Sequence, residues 1–451
     1  MNIIRKGLII LLISCLVIGV VGCGDEEEAT PAPTAAPTAT AAPTPTPTPA
    51  PEEIKIGVIG PMEYLMGEHH WYGAQLAAQE INDAGGFVVG GQTYVITPIQ
   101  VDSNELLDPT GAASAMERAI TVEGADFVMG GIRSEAVHAM QEVAMNYETI
   151  FLGCGASDVA LCTKVTDDYD RYKYWFRVTP INSTYLGAVA FELLGMVAQK
   201  VGLELQVPPK VAILAEKAVW ADNIVGAAQA VLPGKGIEIV GVWRPSDTAT
   251  DLTAELTAIE AAGANIIFTA LSGPVGLPYA TQWGELQVPA ASVGINVEAQ
   301  SDDFWGESGG EGNYEYTMNI YARGAAITDK TLPFIDAFIE EMGVVPTYNA
   351  GTYDAVYLLK EAIERAGTLD SDAVVAELEQ TDGDTTAGRL VFSESHDVTW
   401  GPGYVTALGV QWQDGELKAV WPPPDGSWND VVYAGTVEYQ LPPWVVDYWT
   451  Q

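Results

Sequence analysis

Positive charge is scarce in this chain: 20 Lys and Arg stand against 60 Asp and Glu, a formal charge of −40. So acidic a surface repels phosphates and anionic lipid heads, which argues against nucleic acid as a partner. Histidine is scarcer still. His69, His70, His138 and His396 form no His-Glu-x-x-His and no triad spacing. His69-His70 beside Glu68 lacks the further ligands that a metal site needs. No Gly-x-Gly-x-x-Gly follows a strand-like run, and there is no phosphate-binding loop. These gaps speak against an enzyme and give no reason to expect a cofactor or a metal.

Cysteine is limited to four residues, and two of them sit in the first segment, Cys15 and Cys23. That segment reads as an address rather than a fold. Arg5 and Lys6 precede an apolar run from Leu8 to Val21, too short to span a membrane comfortably. The run ends in Val20-Val21-Gly22-Cys23, which resembles the bacterial lipobox, where a peptidase cuts before the Cys and its sulfur is acylated. Residues 1–22 are thus expected to be a lipoprotein signal peptide, with a lipid anchor at Cys23. Cys154 and Cys162 remain. An exported pair can oxidise, closing a loop around Gly155-Ala156-Ser157-Asp158, or stay as two small buried thiols.

Residues 23–53 continue as an acidic patch and a Pro/Thr/Ala repeat, including Thr44-Pro45-Thr46-Pro47-Thr48-Pro49. Such a segment has nothing to bury and reads as an extended spacer. From Ile54 the composition turns globular. Strand-like runs at 54–59, 94–101, 125–129 and 149–152 alternate with helical runs at 72–84, 109–121 and 134–145. The rhythm restarts with strands at 210–214, 237–242, 265–271 and 291–295 between helices at 183–201, 221–232, 251–262 and 277–286. Helices near 332–342, 350–366 and 372–380 follow, with strands at 389–392, 404–413 and 417–421. Alternation of this kind calls for an α/β fold with parallel sheets covered by helices on both faces. The Pro- and Trp-rich segment 421–451 has no period that places it.

Ordered pieces of the chain carry a resemblance. They include Ile56-Gly57-Val58-Ile59-Gly60-Pro61, Glu80-Ile81-Asn82-Asp83-Ala84-Gly85-Gly86, Gly130-Gly131-Ile132-Arg133-Ser134 and Gly155-Ala156-Ser157. Phe176-Arg177-Val178-Thr179-Pro180, Tyr353-Asp354-Ala355-Val356-Tyr357 and Gln411-Trp412-Gln413-Asp414-Gly415 follow in order. Together these resemble the type I periplasmic binding proteins, in the branched-chain amino-acid branch that serves ABC importers. The resemblance implies two Rossmann-like lobes joined by three hinge crossovers, near 178–181, 316–321 and 387–391. Lobe 1 would be 54–178 plus 320–388, and lobe 2 would be 180–318 plus 389–420.

It also implies an amino acid or related amide or carboxylate as ligand, ABC permease subunits as partners, and an extracytoplasmic place of work at the membrane. Ligands of parallel sheets sit beyond the carboxyl ends of strands. Ser134 matches the family's carboxylate-binding serine, although serine also favours helix starts for its own sake. Gly155, Ala156 and Ser157 match the next ligand turn. Trp220 stands where an aromatic covers the ligand, and Tyr64 could wall the pocket. Asn296 replaces an acid that neutralises the ligand's ammonium, and Arg133 either adds positive charge for an anionic ligand or faces solvent. The same fold also serves as a sensory module, which is the alternative to transport.

Overall fold

A computed structural model describes residues 50–451. The signal peptide, Cys23 and most of the spacer lie outside the described residues.

The first sheet is built from β1 (Glu52–Gly60), β2 (Phe87–Val89), β3 (Gln92–Asp102), β4 (Phe127–Gly130), β5 (Phe151–Gly153) and β6 (Trp175–Arg177), in the order β2-β3-β1-β4-β5-β6. All neighbours are parallel except the β2–β3 pair. β1 explains the arrangement: its run of buried Ile54, Ile56, Val58 and Ile59 is covered on both faces, as a central parallel strand requires. The strand begins at Glu52, which is in register with Tyr94, two residues before the start read from the sequence.

The second sheet holds β7 (Lys210–Ala215), β8 (Glu238–Trp243), β9 (Ile266–Leu271) and β10 (Ala291–Asn296), in the order β10-β9-β7-β8, all parallel. The helix Ser183–Glu204 packs on β9 and β10. It is long and apolar enough to cross a membrane by composition, but half of its apolar window is buried in the protein. Later strands are β11 (Tyr316–Asn319), the hairpin β12 (Asp382–Thr385)–β13 (Gly388–Val391), β14 (Leu408–Gln413) and β15 (Glu416–Trp421). β11, β14 and β15 form an antiparallel sheet against the second lobe, where β10 and β11 adjoin.

The chain crosses between lobes three times. It leaves the first sheet after β6, and it returns after β11 to the helices Thr331–Met342 and Thr352–Ala366, which pack on Leu65–Asp83. The third crossing comes later than 387–391. Arg177 N still donates to His396 O at 2.9 Å, and Asp397 still pairs with Arg177, so the chain rejoins the second lobe only between Val398 and Leu408. His396 and Asp397 are accordingly buried.

The carboxyl-terminal segment closes over the second lobe. Gln411 Nε2 donates to Gln440 O at 2.7 Å, and Gln413 Nε2 donates to Glu438 O at 2.9 Å. Trp444 Nε1 donates to Val288 O at 3.0 Å, and its ring meets Trp283 edge-on. Trp449 Nε1 reaches Pro289 O at 2.6 Å.

Candidate ligand-binding site

The carboxyl ends of both parallel sheets face one cavity. The first lobe contributes Ile132, Gly155, Ser157 and Tyr348, and the second contributes Trp220, Ser272, Ile295, Val297 and Gln300. The crossing segments add Pro180, Ile181, Asn319, Ile320, Thr406 and Ala407. No lining residue carries a charge. A mostly apolar wall with a few polar points is usual for sites that take small solutes.

Two turns of the first lobe form one side. The turn after β4 leads into the helix Ser134–Asn146, and the turn after β5 carries Gly155 to Asp158. They interlock: Ala156 N donates to Gly131 O at 3.1 Å. Gly155 fits only as glycine, because a Cβ there would stand 2.3 Å from Gly131 O and 2.8 Å from Ile132 Cα. Ser134 begins its helix, is 1% exposed, and its Oγ is buried with no protein partner. An orphaned buried hydroxyl at a helix start needs an explanation, and a bound anion would supply one.

The backbone donors of these turns are not all free. Glu105, fully buried, accepts Ile132 N at 3.1 Å, Arg133 N at 3.0 Å and Ser103 Oγ at 3.2 Å. The anion cradle expected from both turns is therefore partly filled by the protein's own carboxylate. Burial pushes the Glu105 carboxyl up to about 7, against the pull of those donors. Arg177 holds the other turn from beneath. Its Nη1 donates to Ala156 O and its Nη2 to Asp158 O at 2.6 Å, while Nε pairs with Asp397 at 2.9 Å. Ala156 is thereby fully buried and does not line the cavity.

On the second lobe, Trp220 lies in the first turn of the helix Val219–Val231 and is 7% exposed. Its Nε1 donates to Glu216 Oε1 at 2.9 Å. The buried Glu216 carboxylate also accepts Ser272 Oγ, Ser272 N at 2.7 Å and Gly273 N at 2.8 Å. Glu105 and Glu216 thus perform the same task, one in each lobe: each sits just past a strand and fixes a binding turn.

The remaining expected residues fall elsewhere. Asn296 is wholly buried, and its Nδ2 donates to Gly276 O at 3.0 Å and Glu315 Oε1 at 3.1 Å, so it does not line the cavity. Tyr64 caps the helix Leu65–Asp83 and is also outside the lining. Arg133 neither enters the cavity nor faces open solvent. Its Nη1 pairs with Asp247 of the other lobe, beside which Glu135 Oε1 accepts Val219 N at 3.2 Å. Cys154 and Cys162 are unpaired and buried. Each has local company instead: Cys154 Sγ points to Leu152 O at 3.5 Å, and Cys162 Sγ accepts Trp175 Nε1 at 3.3 Å. His69 and His70 are structural. His69 bonds Thr347, and His70 Nε2 meets Cys154 O at 3.0 Å.

Sequence reading missed Glu105, Glu216, Arg177, Ser272, Gln300, Tyr348 and Thr406. Glu105, Glu216 and Arg177 owe their places to partners 27, 56 and 220 residues away. The one available signal was Arg177 itself, a charged residue inside an apolar run just before a Thr-Pro.

Two parallel-sheet lobes, three crossings and an interlobe cavity at the strand ends define a two-lobed solute-binding protein. The chain belongs to the periplasmic binding protein family, which it matches over residues 53–415, and specifically to the type I members of the branched-chain amino-acid group. The Leu/Ile/Val-binding protein homolog 7 of Brucella abortus is 22% identical over 380 residues, 82% of this chain and 92% of that protein. Among solved structures, LivJ of Streptococcus pneumoniae in complex with isoleucine superposes with a TM-score of 0.67 at 20% identity, covering 81% of this chain and 98% of its own. A solute-binding protein of an R. palustris ABC transporter in complex with benzoate gives 0.66 at 16% identity, covering 86% and 98%. The family is a solute-binding class that works outside the cytoplasm with ABC permeases.

Proposed function

We propose that the protein is a lipid-anchored capture subunit that takes a small amino acid, amide or carboxylate between its lobes and delivers it to an ABC importer. Residues 54–178 with 320–388 and 180–318 with 389–420, the latter's start moved later by the Arg177–Asp397 contact, are the two jaws of this reading. Closure by hinge motion would present a form that the permease recognises. Ser134, Gly155 and Ser157 receive the ligand's carboxylate, and Trp220 covers it.

The observation that carries the reading is Ser134 Oγ, buried and unpartnered at a helix start, itself off the cavity lining but two residues after Ile132, which lines it. Losing a hydroxyl that bonds a charged group costs about 1.5–3 kcal/mol, roughly tenfold to a hundredfold in affinity. Ser134→Ala should weaken a ligand found by thermal-shift screening by that factor in calorimetry, with the melting temperature of the free protein little changed. Unaltered affinity would remove Ser134 from the site.

The anchor rests on the run Val20-Val21-Gly22-Cys23. Cys23→Ser should leave the protein unacylated, as a soluble form or an uncut precursor. Acylated, membrane-pelleting protein from that variant would refute the anchor.

A further inference from the structure

We infer that the cavity takes an apolar carboxylate without an ammonium group, such as an aryl acid or a short branched acid. This rests on the solute-capture reading and narrows it to one class of ligand.

The walls decide the body of the ligand. Ile132, Ile181, Leu186, Trp220, Ile295 and Ile320 face the cavity, so its bulk must be apolar. Two polar points remain among them: Gln300 Oε1 and Thr406 Oγ1 line the cavity, buried and without a protein partner. Gln300 Oε1 can accept from a ligand hydroxyl and Thr406 Oγ1 can donate to an oxo group, and neither supplies negative charge.

The carboxylates around the cavity decide against an ammonium. An enclosed ammonium needs a facing carboxylate, since an unpaired buried charge is strongly disfavoured. No lining residue is acidic. Glu216 stands behind Trp220 and Ser272 and is saturated by four protein donors. Glu105 is likewise engaged with Ile132 N, Arg133 N and Ser103. Glu298 has no such partners, but it lies against Gly276, off the lining.

The acid end has a receiver. Ser134 Oγ is unpartnered at the amino end of a helix of 13 residues, off the lining itself but two residues after the lining Ile132, in the turn that meets Gly155. There the helix dipole favours negative charge. Arg133 does not compete for the ligand, because its guanidinium is paired with Asp247. The site is therefore built for one negative group, held by neutral donors, on an uncharged body.

Calorimetry on the full chain with matched pairs tests this. 4-Methylpentanoate is set against leucine and 3-phenylpropanoate against phenylalanine, with benzoate as a third acid. At least one acid should bind, and about tenfold or more tighter than its amino-acid partner. Leucine or phenylalanine binding as tightly as the matched acid overturns the inference and leaves solute capture standing. Failure of all three acids at millimolar concentration overturns it as well. The capture reading fails separately, and only if a broad thermal-shift panel of amino acids, amides and acids gives no stabilisation.

Discussion

Removing the Arg133 guanidinium would leave Asp247 of the other lobe without its cation. Both side chains are 19% exposed, so the pair is partly screened, and it joins residues 114 positions apart on different lobes. Breaking it acts on the closed state, not on ligand contacts, because Arg133 does not line the cavity. Arg133→Ala should therefore weaken every ligand alike, by about 1 kcal/mol or roughly fivefold. Affinity of the parent should fall with added salt, and the variant should lose most of that dependence. Calorimetry at two ionic strengths checks both. A loss confined to anionic ligands would mean that Arg133 reaches the ligand itself. Glu105 and Glu216 show a related division of labour: charged side chains near the site serve its shape, and the cavity surface stays neutral.

Elements were legible in proportion to how local their cause is. The central strands announce themselves, because a parallel strand buried on both faces must be a run such as Ile54 to Ile59 or Ile266 to Leu271. The turns after them were readable too, since Gly155 and Ser134 obey local rules of close approach and helix start. β6 and β11 escaped as strands. They have three and four residues, and only their neighbours β5 and β14 make them strands. The third crossing was misplaced for the same reason. The hairpin β12–β13 looks like the start of the second lobe, but Asp354 accepts Thr386 N and Oγ1 and keeps it on the first. The segment after Trp421 has no period to read. Its tryptophans find carbonyl partners at Val288 and Pro289, more than 150 residues back. The site divides along the same line. Ser134, Gly155, Ser157 and Trp220 were named through the family resemblance of their turns, whereas Glu105 and Glu216 had no such match, and a lone glutamate does not declare which distant amides it will accept.

At the scale of the whole molecule, burial has moved two sets of titrations in opposite directions. Burial pushes Glu105, Glu298 and Glu315 up to about 7 and Asp354 to about 6, and it raises Glu216 as well. Between about pH 4.5 and 7 the folded chain holds protons that the unfolded chain has released, so these groups add stability as pH falls through 7. Burial lowers His69 to about 3 and His70 to about 4, and lowers His396. Below about 6.5 the unfolded chain takes up protons that these rings refuse, so they remove stability as pH falls further. The carboxyls act alone above about 6.5 and are opposed below it. Melting temperature should therefore rise from about pH 8 to about pH 6, then level off and decline toward pH 4. Relief of the −40 charge acts in the same direction on the upper flank, so one variant is needed to separate the causes. Glu315 is wholly buried away from the cavity, with Oε2 unpartnered and Oε1 accepting Asn296 Nδ2. Glu315→Gln keeps its shape without its titration, and it should flatten the slope between about pH 8 and 6 while general charge relief persists. Melts recorded at constant ionic strength decide it, and an unchanged slope in that variant would show that Glu315 is ionised in the fold at neutral pH.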